Sequence, residues 1–393
     1  MARKSNTRAA QGSGTIRQRK DGRWEARYTV GRDPGTGKQI QRSVYGATQQ
    51  EVRKKLAQVT TALDCGDYFQ PSKMTLARWV ELWLQEYMGD KKYLTVKHYT
   101  AQCKTHIVPS LGAVKLAELT APQIQAFYNG LLRDGMAPKS VRNIHGILTK
   151  CLSTAVSVEY IRDNPASRVT LPRVEKKEIH PLTDEQVKDF LRVSAGDEYE
   201  ILLKVILFTG LRESEAIGLT WDCVDFKAGT VKVCKQLQKR PLSDGGFTFA
   251  PLKNDKTRTL RPAPFVLELL ERRKREQAEQ RLKAGELWVG WQTTDQQKSA
   301  LVFTTATGSN LSPQTVYNHY KKLASQIGAP DSRVHDLRHT FAVLSLQNGD
   351  DVKTVQGNLG HATAAFTLDV YGHVSERMKE DSAARMQEYI SNL

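Results

Sequence analysis

The sequence predicts a multidomain α+β protein with three parts. These are a small three-stranded β-sheet domain with one helix, an all-α helical bundle, and a mixed, mainly α domain with a small antiparallel sheet. Polar and apolar residues alternate as in β-strands from Gly14 to Gly46. Apolar residues recur at helical spacing from Thr75 to about Glu159, and both patterns occur beyond residue 178. A chain of 393 residues can form two or three such domains.

The chain is basic, with 58 Lys and Arg against 42 Asp and Glu and a pI near 9.5. This balance points to a polyanionic partner, with nucleic acid as the first candidate and an anionic membrane surface as the second. Residues 1–70 alone hold 14 basic and 6 acidic residues. The sequence contains no run of about 18 apolar residues, the length needed to cross a bilayer, and the N-terminus lacks an apolar signal segment. We therefore expect a cytoplasmic protein with no membrane partner.

The first part reads as three short strands joined by turns at Asp21-Gly22 and near Asp33, followed by a helix. Thr48 and Glu51 form a capping box that begins this helix, whose apolar side covers one sheet face. The other face could lie in the major groove of DNA or could simply be a solvated basic surface. The candidate DNA-binding residues on it are Arg17, Arg19, Arg23, Arg27 and Arg42.

The second part is predicted to be wholly helical, with Thr120 capping one helix and Gly135 following its end. Its apolar stripes are interpreted as core, and its outward basic residues as a surface that contacts the DNA backbone. The candidates are Lys91, Lys92, Lys97, Lys139 and Arg142. Pro165 and Pro172 mark the segment that follows as a linker.

The third part concentrates unusual chemistry in four stretches. In the first, FTGLRESEAIGLTW, Arg212 follows Thr209-Gly210 at the start of a predicted helix, where it could hold an anion. The alternative is an ordinary surface ion pair with Glu215. In the second stretch, APLKNDKTRTLRP, a turn separates two extended runs and would place Lys253 near the tip of a β-hairpin.

The third stretch, VHDLRHTFAVLSL, places His335 and Arg338 on one face of a helix, while His339 is interpreted as structural. In the fourth, LGHATAAFTLDVYGHV, His361 precedes Tyr371 by ten residues. Each piece alone has an ordinary explanation in packing or solvation. Together they supply two guanidiniums, two imidazoles, one ammonium and one phenol, the groups that metal-free phosphoryl transfer through a covalent intermediate would require.

The order of these motifs, TGLR, LK in a predicted hairpin, HDLRH, LGH and then a tyrosine ten residues after that histidine, resembles the tyrosine recombinases. The similarity is greatest to the integrases of phages and conjugative transposons. It implies that Arg212 and Arg338 grip the scissile phosphate, and that Lys253 helps to protonate the leaving 5′ oxygen. It also implies that His335 assists proton transfer, His361 hydrogen-bonds the phosphate and Tyr371 is the nucleophile. Lys256 is the alternative to Lys253.

The resemblance further implies a domain plan. Residues 1–70 would be an arm-type DNA-binding domain, 71–165 a core-binding domain, 166–177 a linker and 178–393 the catalytic domain. Residues 374–393 would form a helix that is exchanged between protomers of a tetramer, although it could also fold back onto its own domain. The implied partners are double-stranded DNA and further copies of the chain, with excisionase and DNA-bending proteins as accessory factors.

No cofactor and no metal are implied by the resemblance, and the five scattered cysteines show no metal-binding or disulfide spacing. Two other functions remain open at this point. One is a type IB topoisomerase, which uses the same chemistry to relax DNA. The other is a DNA-binding architectural protein whose active site has decayed. A phage origin and a conjugative-transposon origin are equally compatible with the sequence.

Overall fold

The computed structural model of the chain describes residues 15–32, 35–64, 74–175, 180–252, 256–361 and 375–392. Its contacts divide into two compact units, Met1–Lys176 and Lys177–Leu393. Both units contain helices and small antiparallel sheets, so the predicted mixed α+β architecture is confirmed. No helix among the described residues is long and apolar enough to cross a membrane.

The first unit starts with a three-stranded antiparallel sheet and one helix, as predicted. The sheet order is β1-β2-β3, and the elements are β1 (Thr15–Gln18), β2 (Trp24–Arg32), β3 (Gln39–Gly46) and α1 (Gln49–Asp64). One sheet face packs on α1, where Ala26, Val52 and Leu56 are buried. Glu51 donates its backbone N–H to Thr48 Oγ1 over 3.2 Å, so the predicted N-cap is present.

From Leu76 to Arg168 the first unit is mainly helical. Its helices are α2 (Leu76–Glu86), α3 (Tyr93–Gln102), α4 (Val108–Leu111), α5 (Ala121–Arg133) and α6 (Pro138–Ser157), with a π-helical turn over Cys103–Ile107. Trp79 and Trp83 are buried and donate their indole N–H groups to Cys151 O and Thr154 Oγ1, both over 3.1 Å. Because these bonds satisfy the polar ends of both indoles, α2 can pack tightly on α6. The core stripes expected from the sequence are confirmed.

The second unit is mainly helical. Its helices are α7 (Asp184–Val193), α8 (Glu200–Thr209), α9 (Glu213–Ala216), α10 (Pro264–Ala284), α11 (Thr294–Lys298), α12 (Pro313–Gln326), α13 (Val334–Gln347), α14 (Val352–Leu359) and α15 (Ser375–Ser391). Helix α8 is buried on all sides, and α9, α10 and α13 pack around it. A helix that is buried all round forms the centre of a core. The segment that precedes Arg212 is therefore held from several directions.

Two small antiparallel sheets complete the part of the second unit that the structure describes. The strands β4 (Val224–Asp225), β5 (Thr230–Val233) and β8 (Arg258–Leu260) form one sheet, and β6 (Lys235–Lys239) pairs with β7 (Phe247–Pro251) in the other. The predicted hairpin between the runs on either side of Lys253 is therefore wrong. Those runs are β7 and β8, but β7 pairs with β6 and β8 pairs with β5. Strands β6 and β7 form a separate hairpin with each other, and β7 is therefore not the partner of β8.

Helix α15 lies within residues 374–393, where a helix is predicted. Among its described side chains, Met386, Tyr389 and Ile390 are exposed by more than half of their surface. Tyr389 and Ile390 lie three and four residues after Met386, so all three side chains are on one side of the helix. This apolar side faces solvent in the isolated chain.

Candidate active site

Arg212 is presented by a glycine turn between α8 and α9. Gly210 ends α8 in the left-handed conformation, with φ 65°. A Cβ atom there would lie 2.5 Å from Phe341 Cδ1 and 2.7 Å from Leu359 Cδ2, so only glycine fits the turn. Arg212 follows two residues later as the N-cap residue of α9.

Arg212 forms a buried ion pair with Glu215, not a surface one. Its Nη1 donates to Glu215 Oε1 over 2.7 Å, and its backbone N–H donates to Oε2 over 3.0 Å. Glu215 has a side-chain exposure of 1%, whereas Arg212 retains 22%. Arg212 Nη2 also donates to Gly360 O over 3.3 Å, which joins the start of α9 to the residue before His361. The carboxylate thus fixes the direction of a guanidinium that solvent still reaches.

A second arginine, Arg258 on β8, binds the same carboxylate. Its Nη1 and Nη2 donate to Glu215 Oε1 and Oε2 over 3.2 and 2.6 Å, and its Nε donates to Asn358 O over 2.7 Å. Burial alone would raise the pKa of Glu215, but the hydrogen bond and charge of Arg258, with those of Arg212, lower it to about 2. Sequence analysis missed Arg258, because nothing local indicates a contact made 43 residues away.

Arg338 joins two turns of the site. Its guanidinium is 1% exposed, and Nη1 and Nη2 donate to Gly210 O and Leu359 O, both over 2.5 Å. Leu359 and Gly360 end α14, with Gly360 at φ 64°. One side chain on α13 therefore fixes the turn that precedes Arg212 and the turn that precedes His361.

Three histidines border these arginines. The rings of His335 and His339 lie 4.9 Å apart and perpendicular to each other on successive turns of α13. Burial, and then the charges of Arg338 and Arg212, lower the pKa of His361 to about 3. Burial and the neighbouring His335 lower the pKa of His339 to about 4, and the pKa of the more exposed His335 is lowered by the same kinds of cause. The cluster is therefore cationic through its arginines, while its imidazoles are neutral acceptors near pH 7.

The neutral state of His361 gives an expected dependence of stability on pH. Between its ordinary pKa of 6.5 and its folded value of about 3, the unfolded chain takes up a proton that the folded chain does not. Acidification from about pH 7 to about pH 5 should therefore lower the free energy of unfolding. Glu213, whose pKa burial raises to about 7, acts in the opposite direction. The part due to His361 is measured as the difference between the wild-type chain and His361→Gln in chemical denaturation. We expect the variant to be less sensitive to acid, and equal sensitivity would contradict the assignment.

Two predicted groups, Lys253 and Tyr371, lie outside the described residues. The alternative lysine, Lys256, is exposed just before β8. The structure brings together Arg212, His335, Arg338 and His361 through α9, α13 and the end of α14. The first and last of these four residues, Arg212 and His361, are 149 positions apart in the sequence. Their convergence in one cluster supports a shared role.

The basic residues of the N-terminal sheet divide between its two faces. Arg17 lies opposite Glu25 in the register, and Arg27 lies opposite Ser43, on the face away from α1. Arg42 lies opposite Tyr28, whose side chain is buried in the core beneath α1. The expectation that Arg42 shares the outward face is therefore wrong, because one step along a strand reverses the direction of the side chain.

Two further basic residues lie near the turn between β1 and β2. Arg23 is exposed and pairs with Asp21 over 3.0 Å, while the Arg19 guanidinium lies 5.5 Å from the ring centroid of Tyr45. Tyr45 is opposite Glu25 in the register, so Arg19 reaches over the outward face. This face therefore presents a group of arginines with one exposed aromatic ring.

Most of the candidate residues in the helical part of the first unit are exposed at its surface. This holds for Lys92, Lys97 and Lys139, while Lys91 is partly covered and forms an ion pair with Asp90. Arg142 is exposed but its Nε donates to Pro172 O over 2.8 Å, so it also holds the segment after α6. A role of these residues in contacting DNA stays a prediction.

Known families and structures agree with this arrangement. The phage integrase family profile matches residues 175–378, and the profile of the phage integrase N-terminal SAM-like domain matches 75–132. A tyrosine recombinase XerC-like protein of Caldanaerobacter subterraneus subsp. tengcongensis is 26% identical over 92% of this chain and 94% of its own length.

Two solved structures share the fold. The Tn1549 transposon integrase in complex with a circular intermediate DNA has a TM-score of 0.67, at 19% identity over 80% of this chain and 99% of that one. A lambda integrase tetramer bound to a Holliday junction has a TM-score of 0.56, at 19% identity over 93% and 97%. The family match covers more than half of the chain and includes the whole arginine and histidine cluster. The chain therefore belongs to the phage integrase family and is a tyrosine recombinase.

Proposed function

We propose that this tyrosine recombinase cuts and rejoins DNA at specific sites through a 3′-phosphotyrosyl intermediate, and so integrates and excises a mobile element. The observation that carries the proposal is the joining of three distant segments in one cluster of arginine and histidine side chains. Arg212 donates to Glu215 and to Gly360 O, and Arg338 donates to Gly210 O and to Leu359 O, so both arginines hold the turn that precedes His361. A planar guanidinium suits the paired oxygens of a phosphodiester.

In the proposed reaction, the Tyr371 hydroxyl attacks the scissile phosphorus. The bond from the tyrosine oxygen to phosphorus forms as the bond to the 5′ oxygen breaks, the phenol loses its proton and the leaving oxygen gains one. An unassisted phenol has a pKa of about 10 and is a poor nucleophile at neutral pH. Cationic donors such as Arg212 would stabilise the phosphorane, each by about 3 kcal/mol.

The proton transfers fall to the remaining groups. His335 lies beside His339 on α13. Its lowered pKa keeps the imidazole neutral near pH 7, so the ring can accept a proton. Lys253, or alternatively Lys256, would protonate the leaving 5′ oxygen. Because a phosphotyrosine replaces a phosphodiester, a 5′ hydroxyl from another strand can reverse the step and join new partners.

The domain roles belong to the same proposal. Residues 1–70 would bind arm-type sites, 71–165 core sites and 178–393 would carry the chemistry, with 166–177 as the linker between them. The exposed apolar side of α15, formed by Met386, Tyr389 and Ile390, supports exchange of residues 374–393 between protomers of a tetramer. We place the protein in the cytoplasm of a bacterial host, on the nucleoid when active. Excisionase and DNA-bending proteins would be its accessory partners.

The test is covalent capture of DNA by the full-length protein. A nicked duplex taken from the junction of the element with the chromosome is incubated with the wild-type chain and with Tyr371→Phe. We expect a denaturant-resistant adduct only with the wild type, with the 3′ phosphate on the peptide that contains Tyr371. Absence of an adduct under all conditions would leave a DNA-binding architectural protein as the explanation. Relaxed circles without recombinant joints would indicate a topoisomerase.

A further inference from the structure

The outward face of the N-terminal sheet contains a buried carboxylate. Glu25 lies near the start of β2, the central strand of the sheet, and its side chain is 3% exposed although it points away from α1 and the apolar core. Two arginines, Arg17 and Arg27, lie next to it, and the proposed ligand of this face is a polyanion. A carboxylate there repels phosphate, so its presence calls for a specific explanation.

Both oxygens of Glu25 are occupied by neighbouring side chains. Oε2 accepts from Arg17 Nε over 2.9 Å and lies 2.8 Å from Arg17 Nη2. Oε1 accepts from Arg27 Nε over 3.1 Å and from Ser43 Oγ over 2.8 Å. The hydrogen bonds from Ser43 and Arg17 lower the pKa of Glu25 to about 2. The carboxylate is therefore charged and saturated, and has no oxygen left with which to read a base.

The two arginines differ from Glu25 in exposure. The side chains of Arg17 and Arg27 are 54% and 49% exposed, so each one contacts the carboxylate and still presents about half of its surface to solvent. A free arginine side chain would lose about 2 kcal/mol of rotamer entropy on binding a base. Here the carboxylate has already ordered both side chains, and the serine fixes the carboxylate.

We infer that Glu25 is a positioning residue that gives this face its DNA sequence specificity, by holding Arg17 and Arg27 as a fixed pair for two guanines in a major groove. Arginine reads guanine through its O6 and N7 acceptors, and this is the commonest specific contact in that groove. The inference rests on the proposed DNA-binding function of residues 1–70. It adds to that function the chemical feature that is read and the residue that makes reading possible.

The register limits the distance between the two guanines. Arg27 lies opposite Thr15, two residues from Arg17 on β1, so the two arginines are diagonal neighbours on one face. Diagonal neighbours are about 7–8 Å apart, and base pairs are stacked about 3.4 Å apart. The pair should therefore read guanines within about two base-pair steps of each other.

The experiment uses the full-length chain and randomised duplexes. Sequences enriched by the wild type but lost with Arg17→Ala/Arg27→Ala define the duplex that the sheet binds. Dissociation constants are then measured for that duplex, for the same duplex with 7-deazaguanine at each guanine in turn, and for an unrelated duplex. With the wild type, we expect two guanines within the stated spacing to lose about fivefold or more in affinity when N7 is removed.

Glu25→Gln is expected to shrink both penalties together, while affinity for the unrelated duplex is unchanged or higher because a negative charge is lost. Glu51→Gln removes the same charge from α1, on the other side of the sheet, and should retain both penalties. Circular dichroism checks the fold of each variant. If Glu25→Gln does not fold, Ser43→Ala, which removes only the bond that fixes the carboxylate, decides by whether both penalties shrink.

The inference would be overturned if the folded Glu25→Gln chain retained the wild-type penalties. If Glu25→Gln does not fold, the same result with Ser43→Ala would overturn it. So would an enriched duplex without a close pair of guanines. If the proposed function itself is wrong, Arg17→Ala/Arg27→Ala will enrich the same sequences as the wild type, because the sheet would then bind no specific duplex.

Discussion

Replacing Arg338 with alanine is expected to lower the rate of DNA cleavage by about 10³-fold or more. It should also lower the free energy of unfolding of the catalytic unit by roughly 2–5 kcal/mol, because two buried carbonyls lose their donor. Those carbonyls belong to Gly210 and Leu359, the turns before Arg212 and His361. The loss of one side chain thus releases two segments of the site at once.

Arg338→Lys separates charge from geometry. A lysine retains the cation but cannot donate to two carbonyls with a rigid fork. Because Arg338 is 1% exposed, its bridging of the two turns is the larger part of what the structure shows it to do. We therefore expect Arg338→Lys to recover the folded state in part but to remain at least about 10²-fold slower in cleavage.

The measurement is the single-turnover rate of covalent adduct formation, with DNA binding and denaturant unfolding measured on the same samples. Arg192→Ala is the matched control, since Arg192 is an exposed arginine of α7 that pairs only with Asp189 among the described residues. Full activity in Arg338→Lys would show that charge alone suffices. A binding defect as large as the cleavage defect would contradict the proposed division of labour between the two units.

Local sequence signals were enough to predict much of the fold. Thr48 and Thr120 cap their helices together with the residue three positions later, as those short motifs predict. The burial of Trp79 and Trp83 likewise follows from helical spacing. Such signals depend on residues within one or two turns of each other, so a single sequence contains them completely.

Contacts between distant segments could not be predicted in the same way. The capture of Glu215 by Arg258 depends on which strand lies beside α9, and the pairing of β7 with β6 depends on the closure of an inserted hairpin. The face of Arg42 depends on a register that one residue reverses. The family resemblance supplied the identities of Arg212 and His361, but it gave no reason for the buried carboxylate that orients the arginine.

Glu215→Gln is expected to slow cleavage by about 10–10²-fold. It should also destabilise the catalytic unit by about 3–5 kcal/mol, because the two guanidiniums share one buried carboxylate and would lose their counter-charge. The amide can accept at one position only, so Arg212 and Arg258 cannot both keep their present bonds. The direction of Arg212, and with it the site for the phosphate, should then be lost.

Arg258 acts through the same carboxylate, so its effect should not be independent of Glu215. Arg258→Gln alone should slow cleavage, whereas adding it to Glu215→Gln should cost little more, giving a coupling energy of about 1–3 kcal/mol in a double-mutant cycle. Arg261→Gln, an exposed arginine just beyond β8, is the matched control and should leave the rate unchanged. Additive losses would show that Arg258 supports only the fold of β8. Because Arg258 also holds Asn358 O, coupling in the cleavage rate that exceeds the coupling in stability would identify it as a positioning residue for Arg212.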